Sequence, residues 1–540
     1  MTTAPVENTA RHPETKGGAR TMISCFEPAT RKPLGEVPVC SPAEVRERIA
    51  RARRAQTAWA ERSFEERKEL LGYILDHVLA HADELVDVIV RDCGKTRENA
   101  MLGEIWTVAE KIRHTCEHGE EFLVPERVPT GLFPHKRAEI HYIPLGVIGV
   151  IAPWNYPLQN ILGPTVPALF AGNAVIIKVS EHVAWSSQRF QRIFDEALDK
   201  AGLSRDLVQI INGYGETGAA LVSGGVDKII FTGSMQNGKK VLEESAKTLT
   251  PVILELGGKD AFIVCDDADV EHAAHTAMTG IFIAAGQNCL AAERFIVFDR
   301  VYDAFVQRVV ELTSALRQGP PLGDRRVDIG AMTTPMQIEI VERLVDDAIR
   351  RGAKALTGGR RVLTDQGDFY APTVLVDVPE SAAILREETF GPVMVILRAA
   401  DEDDAIRIAN TSEFGLSSTV ITRSQARARR FVEQLVTGGM CHNDFGLTYM
   451  AMGLPFGGVR GSGFGRLNGR EGLRACCNAK SVLIDKLPVG APAKLYPIGP
   501  FDYDIARETI RSIYGRGATK TAQAVTRLAK TAWLALRERD

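Results

Sequence analysis

Val147-Ile148-Gly149-Val150-Ile151-Ala152-Pro153-Trp154-Asn155-Tyr156-Pro157 is the stretch on which the fold turns. Its first six residues are apolar without alternation, the pattern of a strand buried on both faces. Two prolines then bracket a stiff loop. Downstream, strands are expected at 174–179, 208–211, 228–231 and 252–256, separated by helices at 185–201, from 216, and at 235–248. Strands alternating with helices imply a parallel sheet covered by helices. A second alternating set runs from near 260 to about 436, with strands at 261–264, 294–297, 373–376, 393–397 and 418–421. Two consecutive α/β halves imply two lobes with a cleft, and in such sheets a ligand sits beyond the carboxyl ends of the strands.

Upstream the texture is helical. Ser41-Pro42 supplies an N-cap and a first-turn proline. Ser63-Phe64-Glu65-Glu66 is a capping box. Helix is expected from there to 90 and again over 98–118, preceded by a strand pair within 21–39 that turns near Lys32-Pro33. Residues 138–143 alternate like the arm of a hairpin.

The chain has 540 residues, 45% hydrophobic and 25% charged, which excludes disorder, collagen and disulfide-scaffold classes. Lys+Arg of 65 against Asp+Glu of 68 leaves −3, so no chain-wide field gathers nucleic acid. Nine scattered cysteines, an odd number, read as reduced thiols in a cytoplasmic compartment. Residues 1–20 are polar and read as a flexible tail lacking the apolar core of a signal peptide. No run of about 18 uncharged apolar residues occurs, so no membrane span is expected.

Several residues carry possible chemistry, each with a plainer reading beside it. Cys289, in Ala285-Gly286-Gln287-Asn288-Cys289, follows an apolar helix and reads either as a thiol presented to a cleft or as a small buried hydrophobe. Glu255 ends an apolar strand; it is either a general base with a pKa raised by burial or the salt-bridge partner of Lys259 or an arginine. Asn155 offers an amide to a developing oxyanion, or serves as a turn former. Phe231-Thr232-Gly233-Ser234 places amides and a hydroxyl at a helix start, suited to a phosphate or to simple capping. Gly213-Tyr214-Gly215-Glu216-Thr217-Gly218 has GxGxxG spacing, which also describes an ordinary glycine-rich turn. Lys178 and Glu181 suit the hydroxyls of a ribose, or are solvated loop charges. His77/His81 and His114/His118, with Cys116 between the latter, lack further converging ligands, so no metal is expected.

Taken in order, Pro-Trp-Asn-Tyr-Pro at 153–157, Lys178…Glu181, Phe-Thr-Gly-Ser at 231–234, Glu-Leu-Gly-Gly-Lys at 255–259, Gly-Gln-Asn-Cys at 286–289, Glu-Glu-Thr-Phe-Gly-Pro at 387–392 and Pro-Phe-Gly-Gly at 455–458 make the chain resemble the aldehyde dehydrogenase superfamily over roughly 21–490. Lys-Val-Ser-Glu-His at 178–182 and the tail beyond Tyr496 resemble the plant and fungal branch termed family 22.

The resemblance implies an α/β fold of two Rossmann-like lobes with a small β oligomerisation hairpin: an NAD-binding domain at 21–129 and 145–255, a catalytic domain at 256–462, and a bridging segment at 130–144 and 463–490. It implies Cys289 as nucleophile, Glu255 as general base, and an oxyanion hole from Asn155 and the Cys289 N–H. Ser234 would meet a pyrophosphate, Lys178 and Glu181 the adenine ribose, and Glu388 the nicotinamide ribose with Phe390 nearby. Trp154, Gly213, Phe231 and Gly233 complete the cofactor set. Tyr156, Gly163, Ile283, Met450 and Phe456 would line an apolar substrate tunnel, widened where Gly163 stands in place of a tryptophan. The implied reaction is NAD-dependent oxidation of a small-molecule aldehyde to an acid through a thioester, by a homodimer or homotetramer; Glu181 favours NAD, with NADP possible. A CoA-acylating relative and a non-catalytic scaffold are the rivals; Glu255 opposes the first, and Glu255 with Cys289 and Asn155 the second. Asn288 replaces an extra cysteine of some relatives, and Leu467 a second glutamate.

Residues 491–540 form an extension with a basic amphipathic helix. From 505 to 540 it holds eight basic and three acidic residues, and Val525, Leu528, Ala532, Trp533 and Leu536 make a helical stripe. Such a helix packs on a subunit or lies on a membrane surface.

Overall fold

The computed structural model describes residues 20–362, 367–486 and 496–537. The tail reading of 1–20 thus falls, but for Arg20, outside the described residues. The chain divides into a first unit, up to Glu126 together with Ile140–Ser481, and a second, Arg127–Glu139 with the residues from Val482 onward.

In the first unit Val147–Ile151 lies inside a six-stranded sheet of order Gly463–Phe464, Val252–Glu255, Lys228–Thr232, Val147–Ile151, Ala174–Lys178, Val208–Ile211. Val147 pairs with Ala174 on one side and Ile148 with Lys228 on the other, both in parallel. Four of its five residues are buried, as the unalternating run requires. The chain leaves this strand through 174 and 208, then returns to its other side at 228. The strand order therefore reverses at Val147–Ile151, the kind of switch point where such sheets open a ligand crevice. Gly463–Phe464 pairs antiparallel with Val252–Glu255, an addition of two residues too short to show a period.

A seven-stranded sheet follows, ordered Lys354–Thr357, Thr373–Val376, Val393–Ala399, Ala292–Phe298, Asp260–Val264, Ser418–Ile421, Cys441–His442. Its five interior strands are those expected. The edge strand Lys354–Thr357 is largely exposed and antiparallel, and lacks the apolar run that marked the others. Each sheet has its own core: Ile176, Ile177, Phe190 and Phe194 in one, Phe262, Phe295, Phe305 and Phe431 in the other. Burying each phenylalanine contributes about 1.5–3 kcal/mol.

The upstream helices depart from expectation in two places. The helix expected to continue to 90 breaks at His81 into Phe64–Ala80 and Ala82–Cys93, because His81 leaves helical geometry at φ −115°. The helix expected over 98–118 contains a π-helical turn, Met101–Trp106, between Arg97–Ala100 and Thr107–Leu123. Both capping boxes form, Ser41 with Glu44 and Ser63 with Glu66. The arm expected over 138–143 is Lys136–Pro144, hydrogen-bonded between Glu126–Val128 and Cys477–Asp485. Among the described residues no helix is long and apolar enough to cross a membrane, and no His/Cys/Asp/Glu group is arranged to hold a metal.

Candidate active site

The segment bearing Cys289 is held under strain. After the helix Val270–Phe282, Ala284 and Ala285 take φ of 53° and 56°, and Gly286 takes 76°. Left-handed backbone costs a non-glycine residue roughly 1–2 kcal/mol, so neighbours must impose it. The Ala284 N–H donates to Asn99 Oδ1 at 2.9 Å. The Gln287 amide donates to the carbonyls of Ala284 and Ala331 and accepts from the Thr333 N–H. A Cβ on Gly286 would lie 2.1 Å from the Gly391 carbonyl, so only glycine fits. Phe390, next to Gly391, is itself left-handed at φ 50°. Alanine and phenylalanine give no sequence sign of such backbone.

Asn155 meets this segment. Its Nδ2 donates to the Gln287 carbonyl at 3.0 Å, and its Oδ1 accepts from Asn160 at 3.1 Å. The carboxamide is thereby oriented, with one N–H committed and one remaining. The loop after it is anchored by two residues that sequence reasoning missed. The Leu158 and Gln159 N–H groups donate to Glu104, from the π-helical turn, at 2.7 and 3.2 Å. Lys95 pairs with the other Glu104 oxygen at 2.7 Å and lies 3.6 Å from the Tyr156 ring centroid. A π-turn that aims a buried carboxylate at a functional loop is a common use of that irregularity.

Glu255 is 3% exposed, and neither carboxylate oxygen has a hydrogen-bond partner. Burial pushes its pKa well above the carboxylate range, and Arg466 partly opposes this. The alternative of a bridge to Lys259 fails, because Lys259 is spent on Glu293 and on Thr389 Oγ1. A buried carboxyl left without a partner is costly and marks a functional candidate. Gly457 leaves room for it: a Cβ there would be 2.8 Å from Oε1.

Cys289 is half-buried among Leu290, Leu416, Phe445, Tyr449 and Phe456. Burial pushes its thiol pKa upward, and the carboxyls of Glu388, Asp260 and Glu255 reinforce the shift. The resting sulfur is a thiol, and its ionisation needs a proton acceptor.

Three motifs converge here. A Cβ on Gly258 would be 2.6 Å from the Cys289 carbonyl, and one on Gly257 2.2 Å from Glu388 Oε2. The Gly258 N–H donates to Glu388 Oε1 at 3.0 Å. Burial, followed by Glu293, pushes the Glu388 pKa up to about 8. Glu293, also missed in the sequence, accepts from the Thr389 and Phe390 N–H groups at 2.7 and 2.8 Å. The Phe390 ring stands edge-on to Trp154 at 5.4 Å.

The carboxyl ends beside the switch point hold the remaining cofactor candidates. Ser234 caps Met235–Ala246 by accepting from the Asn237 N–H at 3.3 Å, and the first turn of that helix holds no acid to repel an anion. Phe231 is buried, and a Cβ on Gly233 would strike its ring at 2.7 Å. Lys178 and Glu181 form an ion pair at 3.2 Å. Burial raises the Glu181 pKa, but Lys178 and a backbone N–H outweigh it and hold the carboxyl below its usual range. The crevice, the acid-free helix start and the Glu388 carboxyl suit a nicotinamide dinucleotide. Gly213 has a different explanation. A Cβ there would overlap Thr217 Oγ1 at 2.0 Å, and that hydroxyl donates to the Cys40 carbonyl, so close packing accounts for the glycine.

Phe456 touches the Cys289 cluster, but Ile283 and Met450 do not pack in it. Tyr449 and Phe445 do, from a stretch with no periodic pattern to reveal them, and Tyr449 stands edge-on to Phe456 at 4.8 Å. A Cβ on Gly163 would meet Gln159 Nε2 at 3.0 Å, and Gln159 hydrogen-bonds the Tyr449 hydroxyl. The wall about Cys289 is therefore aromatic, with one polar pair beside it. Leu467 exchanges backbone hydrogen bonds with Phe456.

Comparison with known proteins agrees with this geometry. The aldehyde dehydrogenase family profile matches residues 15–482. An aldehyde dehydrogenase-like protein of Schizosaccharomyces pombe is 37% identical over 91% of this chain and 95% of its own, and fits the fungal branch. The 4,4'-diapolycopene aldehyde oxidase of a Methylomonas species is 36% identical over 92% of each chain. The structure of a Bacillus cereus aldehyde dehydrogenase in complex with NAD+ superposes with a TM-score of 0.82 at 30% identity, covering 86% of this chain and 94% of that one.

Proposed function

The chain belongs to the aldehyde dehydrogenase family, and from that premise we propose that Cys289 is the nucleophile through which it oxidises aldehydes to carboxylic acids. Cys289 Sγ, its proton passed to solvent water, adds to the aldehyde carbon. The free N–H of Asn155 and the Cys289 backbone N–H receive the oxyanion. Glu388 and Ser234 would hold a bound NAD(P) in the crevice, where its nicotinamide would accept the hydride released from the former aldehyde carbon as the carbonyl re-forms. Cys289 then carries the acyl group as a thioester, which Glu255 resolves by taking a proton from water. The observation that carries the reading is the pair of unpartnered Glu255 oxygens, buried three residues before the Gly258 that abuts the Cys289 carbonyl. A hydrolytic enzyme has a use for that free base; a CoA-acylating one does not.

Aldehydes with apolar chains or rings suit the wall of Leu290, Leu416, Phe445, Tyr449 and Phe456. The diapolycopene aldehyde oxidase relative points the same way. Glu181 favours NAD, because it accepts from a ribose hydroxyl and repels a 2′-phosphate. Nine free thiols fit a cytoplasmic setting, and the strands Glu126–Val128, Lys136–Pro144 and Cys477–Asp485 are the surface for a homodimer or homotetramer.

Absorbance of the reduced nicotinamide, followed with hexanal and with or without CoA, tests this. CoA-independent formation of hexanoate, faster with NAD than with NADP, is expected. A CoA requirement points to the acylating enzyme, and silence across a broad aldehyde panel to a scaffold. Asn155→Ala is expected to lower kcat by about 10²–10³, the cost of one oxyanion donor, with dinucleotide affinity unchanged. An unaltered kcat would remove Asn155 from the oxyanion hole.

A further inference from the structure

The second unit carries two helices, Asp502–Tyr514 and Ala518–Arg537, whose solvent faces are unusual. Their contact is centred on charge. Glu508 is 1% exposed and takes Arg507, Arg511 and Arg527 at 3.1, 3.0 and 3.0 Å. Apart from Glu508 and Ala524, no described residue of the two helices is fully buried. Apolar side chains point outward instead. On Ala518–Arg537, Ala522, Val525, Ala529, Trp533 and Leu536 recur at helical spacing on one exposed strip. Trp533 is 54% and Leu536 65% exposed. Lys530 and Arg537 flank the strip, and the Arg537 guanidinium lies 4.6 Å from the Trp533 ring centroid. On the first helix Tyr503, Ile510 and Tyr514 form a second exposed row. From Thr509 to Arg537 the sequence has six basic residues and no acid.

We propose that this helical pair docks the enzyme on an anionic lipid surface. An exposed apolar strip with Lys530 and Arg537 along one border, and a tryptophan at its edge, matches an interface that is apolar beneath and negatively charged above. The aromatic and aliphatic side chains enter the headgroup boundary. Lys530 and Arg537 meet the lipid charges, each cation near such a surface strengthening binding roughly fivefold. Arg527 is occupied by Glu508 and holds the two helices together. The proposal does not depend on the role given to Cys289.

Sedimentation of the full chain with vesicles decides the matter. Binding is expected to phosphatidylcholine vesicles containing phosphatidylserine, to fall as salt is raised, and to be at least about tenfold weaker to pure phosphatidylcholine. Trp533→Glu with Leu536→Glu, and separately Lys530→Glu with Arg537→Glu, should each weaken binding about tenfold or more. Oxidation of a water-soluble aldehyde should stay unchanged in both. No binding to charged vesicles overturns the proposal, as does binding that survives both double variants. Variants that change the sedimentation coefficient of the lipid-free enzyme would show the face to be covered by a second copy of the chain.

Discussion

Replacing Cys289 with alanine is expected to reduce aldehyde oxidation by at least about 10⁴-fold, the scale on which removing a covalent nucleophile acts, while dinucleotide binding persists. The argument is one of position and state. The sulfur lies on a segment whose strained backbone is fixed by Asn99, Gln287 and Thr333. It faces an aromatic wall, with the Asn155 carboxamide bound to the carbonyl two residues earlier. The substitution removes one atom and leaves each of those restraints in place, so the loss reads chemistry and not folding. Dinucleotide binding, followed by quenching of tryptophan fluorescence, should match the parent. The upward-shifted thiol adds a second expectation: alkylation of Cys289 by iodoacetamide should be slow at neutral pH and accelerate as pH rises, because the thiolate is the reactive form. Retained turnover in the alanine variant would remove Cys289 from its role.

How far this site can be read without coordinates depends on whether a residue works through its neighbours in sequence or across the fold. The run 147–152 announced its strand because burial on both faces leaves no polar position. Asn155 and Glu255 stood out because polar groups at the ends of apolar strands need a reason. Lys95 and Glu104 gave no such sign. Lys95 lies in a short loop between helices and Glu104 in an ordinary helical stretch, and their importance comes from a π-turn that aims Glu104 at amides more than fifty residues away. Glu293 was hidden likewise, since it begins as one charge in a strand and acts by holding the backbone of Thr389 and Phe390. Gly163 has neighbours of the same hidden kind. A Cβ there would meet Gln159, whose amide hydrogen-bonds the Tyr449 hydroxyl, a pair that no local pattern couples. Gly213 matched a phosphate-binding spacing but answers to the packing of Thr217.

Glu255→Gln should separate the two halves of the reaction. The neutral amide keeps the volume of the side chain but cannot take a proton from water. Acylation of Cys289 proceeds, so mixing with aldehyde should give a burst of reduced nicotinamide close to one equivalent per active site. Steady-state turnover should then fall by about 10³–10⁴, the upper range for a positioned general base. The upper range is expected because the resemblance places Leu467 where many relatives hold a second glutamate, so that carboxylate is not there to substitute. The pH dependence has a definite sign. Glu255 works deprotonated, and burial raises its pKa well above the usual carboxylate value, so turnover rises with pH over a range displaced toward neutrality. Arg466 pulls the other way, favouring the charged form. Arg466→Met should therefore move the rising limb to still higher pH, and Glu255→Gln should abolish it. A Gln variant that retains both its steady-state rate and the limb would assign the hydrolytic base to another residue and leave the two bare oxygens of Glu255 without a task.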